Sequence, residues 1–310
     1  MKKTVIKGTE LSALSLGTVQ LGMNYGINNT SGKPDEALAF RILDTARSRG
    51  VTALDTAGLY GDSEVIIGKW LKKIPESERP FVMTKGKHLD HSSLDALRSS
   101  VKEQVESSKK RLGLDTIPLF MLHSCDEYLD DEENVKKVFN ELKESGDVRF
   151  CGVSAYAHHD YFRIAKSGFD AVQIPVNVFD RRQIDNGGIQ SLVDSGMMVF
   201  ARSVYLQGLV FRTPETLDPR MEFARGTLET FRSFCEKYGL TPAELAVAFV
   251  LSLPGIVSLT LGSERPEQVE QNADLVENAP RLTEEQLTEL KEAFSNVERR
   301  VLDPSMWFNA

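Results

Sequence analysis

Asp55, Tyr60, Lys85 and His123 are the residues of this chain whose types and spacing suit one piece of chemistry. Asp55, Lys85 and His123 belong to the ends of the apolar, β-branched runs 51–57, 81–85 and 117–123, and Tyr60 follows Asp55 by five residues. A tyrosine with a pKa of about 10 is a poor proton donor at neutral pH, and a nearby ammonium favours the phenolate and lowers that value. Lys85 can supply the ammonium, Asp55 can keep it charged and aimed, and His123 can donate a hydrogen bond that orients a substrate oxygen. Each residue alone has a plainer reading: an Asp55–Lys85 ion pair, a tyrosine on a rim, a histidine satisfied in a core. Four such residues at consecutive strand ends favour shared chemistry. A lysine beside a tyrosine also suits imine formation, so a Schiff-base aldolase is an alternative.

The elements that must position these residues follow from periodicity. Apolar runs at 14–21, 51–57, 81–85, 117–123, 150–155, 171–176, 198–203 and 256–262 predict eight strands. Segments such as 35–48, 94–112, 132–144 and 188–195 carry apolar residues at three- and four-residue steps and predict crossover helices. The alternation predicts an α/β fold, a (β/α)8 TIM barrel, which places chemistry on loops leaving the C-terminal strand ends. An N-terminal β-hairpin, with 4–6 and 11–14 flanking a turn at 7–10, is expected to plug the barrel floor. Capping boxes at Thr241-Pro242-Ala243-Glu244 and Thr283-Glu284-Glu285-Gln286 start two late helices, the second an extra C-terminal one.

With 41% hydrophobic and 26% charged residues in 310, the chain is globular, and residues 1–310 are read as one domain. A formal charge of −8 disfavours nucleic acid and anionic membrane surfaces as partners. No apolar run approaches the roughly 20 residues a bilayer needs, and no apolar stretch follows Lys2 and Lys3, so a cytoplasmic location is expected. Cys125, Cys151 and Cys235 share no short spacing and are expected as buried thiols. His88, His91, His158 and His159 lack metal-ligand spacing and are expected on the solvated surface, with no metal site.

Asp55-Thr56-Ala57, Tyr60-Gly61, Ser63-Glu64 and Ile67-Gly68, taken in order, resemble the aldo-keto reductase superfamily. The resemblance continues through Met83-Thr84-Lys85, Leu122-His123, Gly152-Val153-Ser154, Gln173 before Pro175 and Asn177, Leu206-Gln207-Gly208-Leu209, and Gly262-Ser263 to Asn272. It implies an NAD(P)H-dependent oxidoreductase that interconverts a carbonyl and an alcohol, with Tyr60 as general acid, Lys85 and Asp55 tuning it, and His123 orienting the carbonyl. It also implies a nicotinamide amide held by Ser154 and Gln173 and a pyrophosphate around Ser203, Leu206 and Gly208. The adenosine end would meet Gly262, Ser263, Arg265, Gln268 and Asn272, where Pro266 starts a helix whose amides favour a phosphate. No Gly-x-Gly-x-x-Gly opens a βα unit, so the barrel itself must hold the coenzyme.

The chain departs from that family pattern at four positions. Ala155 stands where many members have Asn, and Arg202 where many stack an aromatic on the nicotinamide; its guanidinium can stack there or meet an anionic substrate. Gly262 and Gln268 replace basic residues, leaving Arg265 for the adenosine phosphate, and NADP(H) is favoured over NAD(H). The loop 24–34, with Tyr25, is expected to line a polar substrate mouth alongside Tyr60, His123 and Arg202, suiting a sugar-derived, polyhydroxylated or anionic carbonyl compound. The tail 303–308, with Trp307 and Phe308, is expected to fold over that mouth or dock on helices or a second subunit. Ala155 and Arg202 also suggest an alternative, a coenzyme-binding regulatory module without turnover. Oligomeric state is left open.

Overall fold

Eight parallel strands close into a barrel in the computed structural model, which describes residues 1–27, 29 and 32–307. Two strands form the N-terminal hairpin, β1 (Lys3–Ile6) and β2 (Thr9–Ser12). The barrel runs in order through β3 (Leu14–Gly17), β4 (Ala53–Asp55), β5 (Phe81–Gly86), β6 (Ile117–Leu122), β7 (Val148–Ser154), β8 (Ala171–Pro175), β9 (Met198–Arg202) and β10 (Ile256–Gly262), and β10 pairs with β3 to close it. All eight expected runs are strands. Most are shorter than their apolar stretches, because apolar residues also fill the first turns beyond a strand: the run 14–21 ends as strand at Gly17 and continues into the helical turn Val19–Gly22.

The helix Leu94–Leu112 shows how local sequence sets these elements. Ser93 caps it by accepting from the Ala96 amide at 3.1 Å, Asp95 sits in the first turn, and Lys109, Lys110 and Arg111 sit in the last, each matching the helix dipole. Gly113 ends it in a left-handed conformation with φ +67°. Leu97, Val101, Val105, Ser108 and Leu112 form the buried stripe against the barrel. Both capping boxes form, at Thr241 with Glu244 and Thr283 with Gln286, and the latter opens the extra helix Glu284–Ala293.

The hairpin turn is tighter than expected. Lys7 and Gly8 both have positive φ, +49° and +69°, the geometry of a two-residue hairpin turn, so Thr9 and Glu10 pair as strand instead of lying in a loop. Leu11 of β2 is fully buried among Phe81, Met83, Leu119, Met121, Met198 and Phe200 inside the barrel. It plugs the floor.

The tail docks on the body. Trp307 is fully buried in the core between barrel and helices, its indole donates to the Arg300 carbonyl at 3.0 Å, and it does not line the cavity described below. Phe308 lies outside the described residues, as do 28, 30 and 31 of the expected mouth loop. No helix among the described residues is long and apolar enough to cross a membrane. Cys125, Cys151 and Cys235 are free and buried.

Replacing Leu11 by Ala is expected to cost about 2–5 kcal/mol, the range for emptying a packed leucine site. Urea unfolding would measure it beside Val5→Ala, an exposed hairpin position where about 0.5 kcal/mol or less is expected. Equal, small losses at both positions would show that the hairpin does not plug the barrel.

Candidate active site

Asp55 and Lys85 end neighbouring strands, and the register brings Asp55 beside Met83, so both side chains reach the C-terminal mouth. Lys85 is 1% exposed, and its Nζ donates to Asp55 Oδ1 at 2.5 Å and to the Thr56 carbonyl at 3.1 Å. Gln173, in the middle of β8, donates its Nε2 to the same Asp55 oxygen at 2.9 Å. Tyr60 comes in on the loop after β4, which is tied down at both ends: the Gly58 amide donates to the Lys85 carbonyl, and the Asp62 amide to the Gly22 carbonyl. A Cβ at Gly22 would fall on the Tyr60 carbonyl oxygen, and one at Gly61, at φ +54°, would meet the Gly22 carbonyl oxygen at 2.3 Å. Only glycines permit this approach, which seats the Tyr60 ring 5.2 Å from Lys85 Nζ.

Beneath this loop is a buried hydroxyl network. Ser63 Oγ donates to Thr18, Thr56 Oγ1 donates to Ser63, and Thr18 Oγ1 donates to the Asp55 carbonyl at 2.8 Å. Glu64, also buried, accepts from Thr84 at 2.5 Å and from Arg111 Nε at 2.6 Å, tying the helix Ser63–Leu71 to β5 and to the helix Leu94–Leu112.

The electrostatics differ from expectation in one respect. Burial pushes the Tyr60 phenol above its ordinary value, and Lys85 pulls it back without reversing the shift, so the net displacement is upward where the lysine alone predicted a lowering. Burial draws the Lys85 pKa down, yet Asp55 and Tyr60 outweigh it and hold the ammonium above its usual value. His123, just past β6, meets Tyr60 edge-on at 5.7 Å between ring centroids. Burial, then the charges of Lys85 and Arg202, pulls its pKa down to about 3, so it is a neutral imidazole at neutral pH.

Tyr60 and His123 line one end of a cavity of about 600 Å³, a size typical of ligand sites. Asp55, Ser154, Gln173, Arg202, Ser203, Gly208, Gly262, Ser263, Gln268 and Asn272 line it too, as do Tyr25, Gly26 and Asn29 of the mouth loop. Leu206 and Arg265 do not: Leu206 is buried in the core, leaving its backbone as its only possible contribution, and Arg265 is exposed at the start of the helix Pro266–Asn278. Three residues without glycine's freedom, Ser203, Leu206 and Gln207, hold φ of +59°, +44° and +52° in the loop after β9, strain of the kind that accumulates at ligand sites. His123 Nδ1, Gln20 Oε1 and Thr260 Oγ1 are buried without a hydrogen-bond partner among the described residues, and all three residues line the cavity. Unsatisfied buried polar atoms around a long, strained groove fit a polar bound molecule.

Arg202 is placed by contacts that the sequence did not reveal. Its guanidinium lies 4.6 Å from the Tyr156 ring, donates to the Ala155 carbonyl and Ser203 Oγ at 3.2 Å each, and has no carboxylate partner among the described residues. His159, expected on the surface, is 5% exposed: the run Tyr156-Ala157-His158-His159 folds it inward, where Nδ1 accepts the Tyr156 amide at 2.9 Å and Nε2 meets Asp126 at 3.1 Å. With burial lowering its pKa, His159 is neutral and carries its proton on Nε2. His158 and Asp126 lie close enough to share a cation with it, but a protonated Nε2 is no metal ligand, and the triad reads as a brace for Tyr156. Gln20, Gln207 and Glu264 also line the cavity and were not among the expected site residues, although Gln207 and Glu264 lie within segments that carry the family resemblance.

Residues 13–294 match the model of the aldo/keto reductase family. Among curated relatives, an NADH-specific methylglyoxal reductase of Escherichia coli is 29% identical over 88% of this chain and 92% of its own length. An aldo-keto reductase of Bacillus subtilis is 27% identical over 86% of each chain. Among solved structures, the holo form of an aldo-keto reductase from Bacillus halodurans superposes with a TM-score of 0.75 at 23% identity, covering 98% of this chain and 100% of that one. The barrel, its cavity and these matches agree: this chain belongs to the aldo/keto reductase family, oxidoreductases that act on carbonyl groups.

Proposed function

We propose that this chain, working as one barrel domain, reduces a polyhydroxylated or anionic aldehyde or ketone, sugar-derived in the first instance, with Tyr60 as the proton donor. The observation that carries the reading is the buried Lys85–Asp55 pair beneath Tyr60. A nicotinamide coenzyme in the cavity supplies the hydride. Tyr60 donates its phenolic proton to the carbonyl oxygen, and the Lys85 ammonium stabilises the phenolate left behind. Neutral His123 donates a hydrogen bond to the same oxygen and adds no competing charge. Gln173 is committed to Asp55 through its Nε2, which makes it a positioning residue for the pair as well as a candidate contact for the nicotinamide amide with Ser154. Gly208 and the backbone turns from Ser203 through Leu206 suit the pyrophosphate.

An imine-forming role for Lys85 fails on the same geometry: the nucleophile must be a free amine, whereas Lys85 is held charged between Asp55 and Thr56. The expectation of NADP(H) over NAD(H) rested on Arg265, which is exposed and outside the cavity lining. Three unpaired buried thiols suit a reducing compartment such as the cytoplasm.

Substrate charge is read from Arg202. A half-buried cation stacked on Tyr156 without a carboxylate partner favours a carboxylate or phosphate on the substrate. Tyr25, Asn29 and Gln207 add polar surface for hydroxyls.

Tyr60→Phe is expected to keep coenzyme affinity within about twofold while turnover falls about 10²–10⁴-fold, the range for losing a general acid. Fluorescence titration and steady-state rates on a panel of aldehydes, sugars and methylglyoxal would measure both; undiminished turnover would reassign the acid. Arg202→Ala is expected to lower kcat/KM about 10–100-fold for an anionic aldehyde and little for its neutral counterpart, as loss of a charge-assisted hydrogen bond implies. Equal losses on both, with weaker coenzyme binding, would assign Arg202 to the coenzyme.

A further inference from the structure

We infer that the end of the cavity remote from Tyr60 selects NAD(H) over NADP(H), and that Glu264 is the residue that discriminates. The inference rests on the reading that a nicotinamide coenzyme lies in this cavity with its reacting ring beside Tyr60. One cavity is lined both by Tyr60, His123, Ser154 and Ser203 and by Gly262, Glu264 and Asn272, so a dinucleotide whose nicotinamide sits beside Tyr60 has room to extend its adenosine ribose to the segment that follows β10. The two coenzymes differ only there, by a hydroxyl in one and a phosphate of about two negative charges in the other.

The far wall is formed by Ser263, Glu264, Gln268, Gln271, Asn272 and Leu275, with Glu264 its sole ionisable group. Arg202, at the opposite end, is the sole Lys or Arg among the described residues that line the cavity. The Glu264 carboxylate is half-buried and makes no hydrogen bond or salt bridge among the described residues; the exposed Arg265 beside it is the one charge acting on it, and burial outweighs that charge and holds the carboxyl above its usual value. An unengaged carboxylate accepts hydrogen bonds from a ribose diol and repels a phosphate.

The donors on this wall are neutral amides and a hydroxyl, and several of their partners are already taken. Gln268 Oε1 accepts the Glu264 amide at 2.7 Å, which fixes the glutamate's backbone. Asn272 donates to Ser263 Oγ and accepts from the Tyr205 hydroxyl at 3.0 Å. The start of the helix Pro266–Asn278 offers little to an anion: Pro266 has no N–H, and the Gln268 and Val269 amides donate to the Arg265 carbonyl. A Cβ at Gly262 would meet the Gln20 amide at 2.6 Å, so Gln20 also closes that approach.

Equilibrium binding to the full chain, by calorimetry or intrinsic fluorescence, tests this with NADH, NADPH, ADP and ADP phosphorylated on its adenosine ribose. NADH is expected to bind at least about tenfold more tightly than NADPH, and ADP more tightly than its ribose-phosphorylated form. Glu264→Gln is expected to narrow both ratios and Glu264→Arg to reverse them. Equal or tighter binding of the phosphorylated ligands to the parent protein overturns the inference without needing any variant. Ratios unchanged in both variants overturn the role of Glu264. If neither coenzyme binds up to millimolar concentration, the coenzyme reading itself falls and this inference with it, an outcome distinct from NADPH binding well.

Discussion

Lys85 Nζ lies 2.5 Å from Asp55 Oδ1 with almost none of either side chain in water, and a charge so placed costs several kcal/mol unless its remaining bonds are made. The barrel makes them. Strand β4 brings Asp55, its extension brings the Thr56 carbonyl, β5 brings Lys85, and β8, on the far side of the mouth, brings the Gln173 amide to the same carboxylate oxygen. Removing one member would leave the other charge buried and unpaired, a loss of the order of 3–5 kcal/mol. The pair therefore fixes the relation between strands that are remote in sequence, and it gives Tyr60 a cation at a set distance.

Bringing Tyr60 over that cation demands a close backbone contact. The loop that carries it packs against Val19–Gly22 with no room for a Cβ at Gly22 or Gly61, and the Thr18, Thr56 and Ser63 hydroxyls satisfy the buried polar groups beneath. A second constrained segment, Ser203 to Gly208, holds three residues in left-handed backbone that none of them prefers. Both segments lie on the cavity, so conformational cost is concentrated where a ligand is to be gripped. The hydroxyl network and the Glu64–Arg111 pair hold the helix that follows Tyr60 against the barrel.

Sequence periodicity was enough to reveal the eight strands, because most are apolar on both faces, and enough to place Asp55, Lys85 and His123 at the mouth, because a polar residue closing such a run has few other places to go. Short-range backbone conformation was harder to read. Lys7 gave no sign of adopting a positive φ, so the hairpin turn looked two residues longer than it is. His159 resembles its exposed neighbour His158 in sequence, and its inward turn onto the Tyr156 amide and Asp126, 33 residues earlier, depends on contacts that periodicity does not record. Trp307 suits the mouth and the helices equally in sequence, and it is the Arg300 carbonyl and the core around it that fix its position. The upward shift of Tyr60 was hidden for a similar reason: the lysine is visible in the sequence, whereas the depth of burial that outweighs it is a property of the closed barrel.

Arg202 and neutral His123 thus line the cavity beside Tyr60, with the Lys85–Asp55 pair beneath it, and Glu264 lines the cavity beyond Gly262. The cavity's chemistry depends on Lys85 offsetting what burial does to the Tyr60 phenol. Ultraviolet difference titration of the parent against Tyr60→Phe isolates that phenol, and the same difference in an Asp55→Asn, Lys85→Met background removes the pair without leaving a lone buried charge. The Tyr60 phenolate should form above the ordinary tyrosine value of about 10 in the parent and higher still without the pair, since Lys85 acts on it more strongly than Asp55. A midpoint that stays in place when the pair is removed would contradict the central role of Lys85.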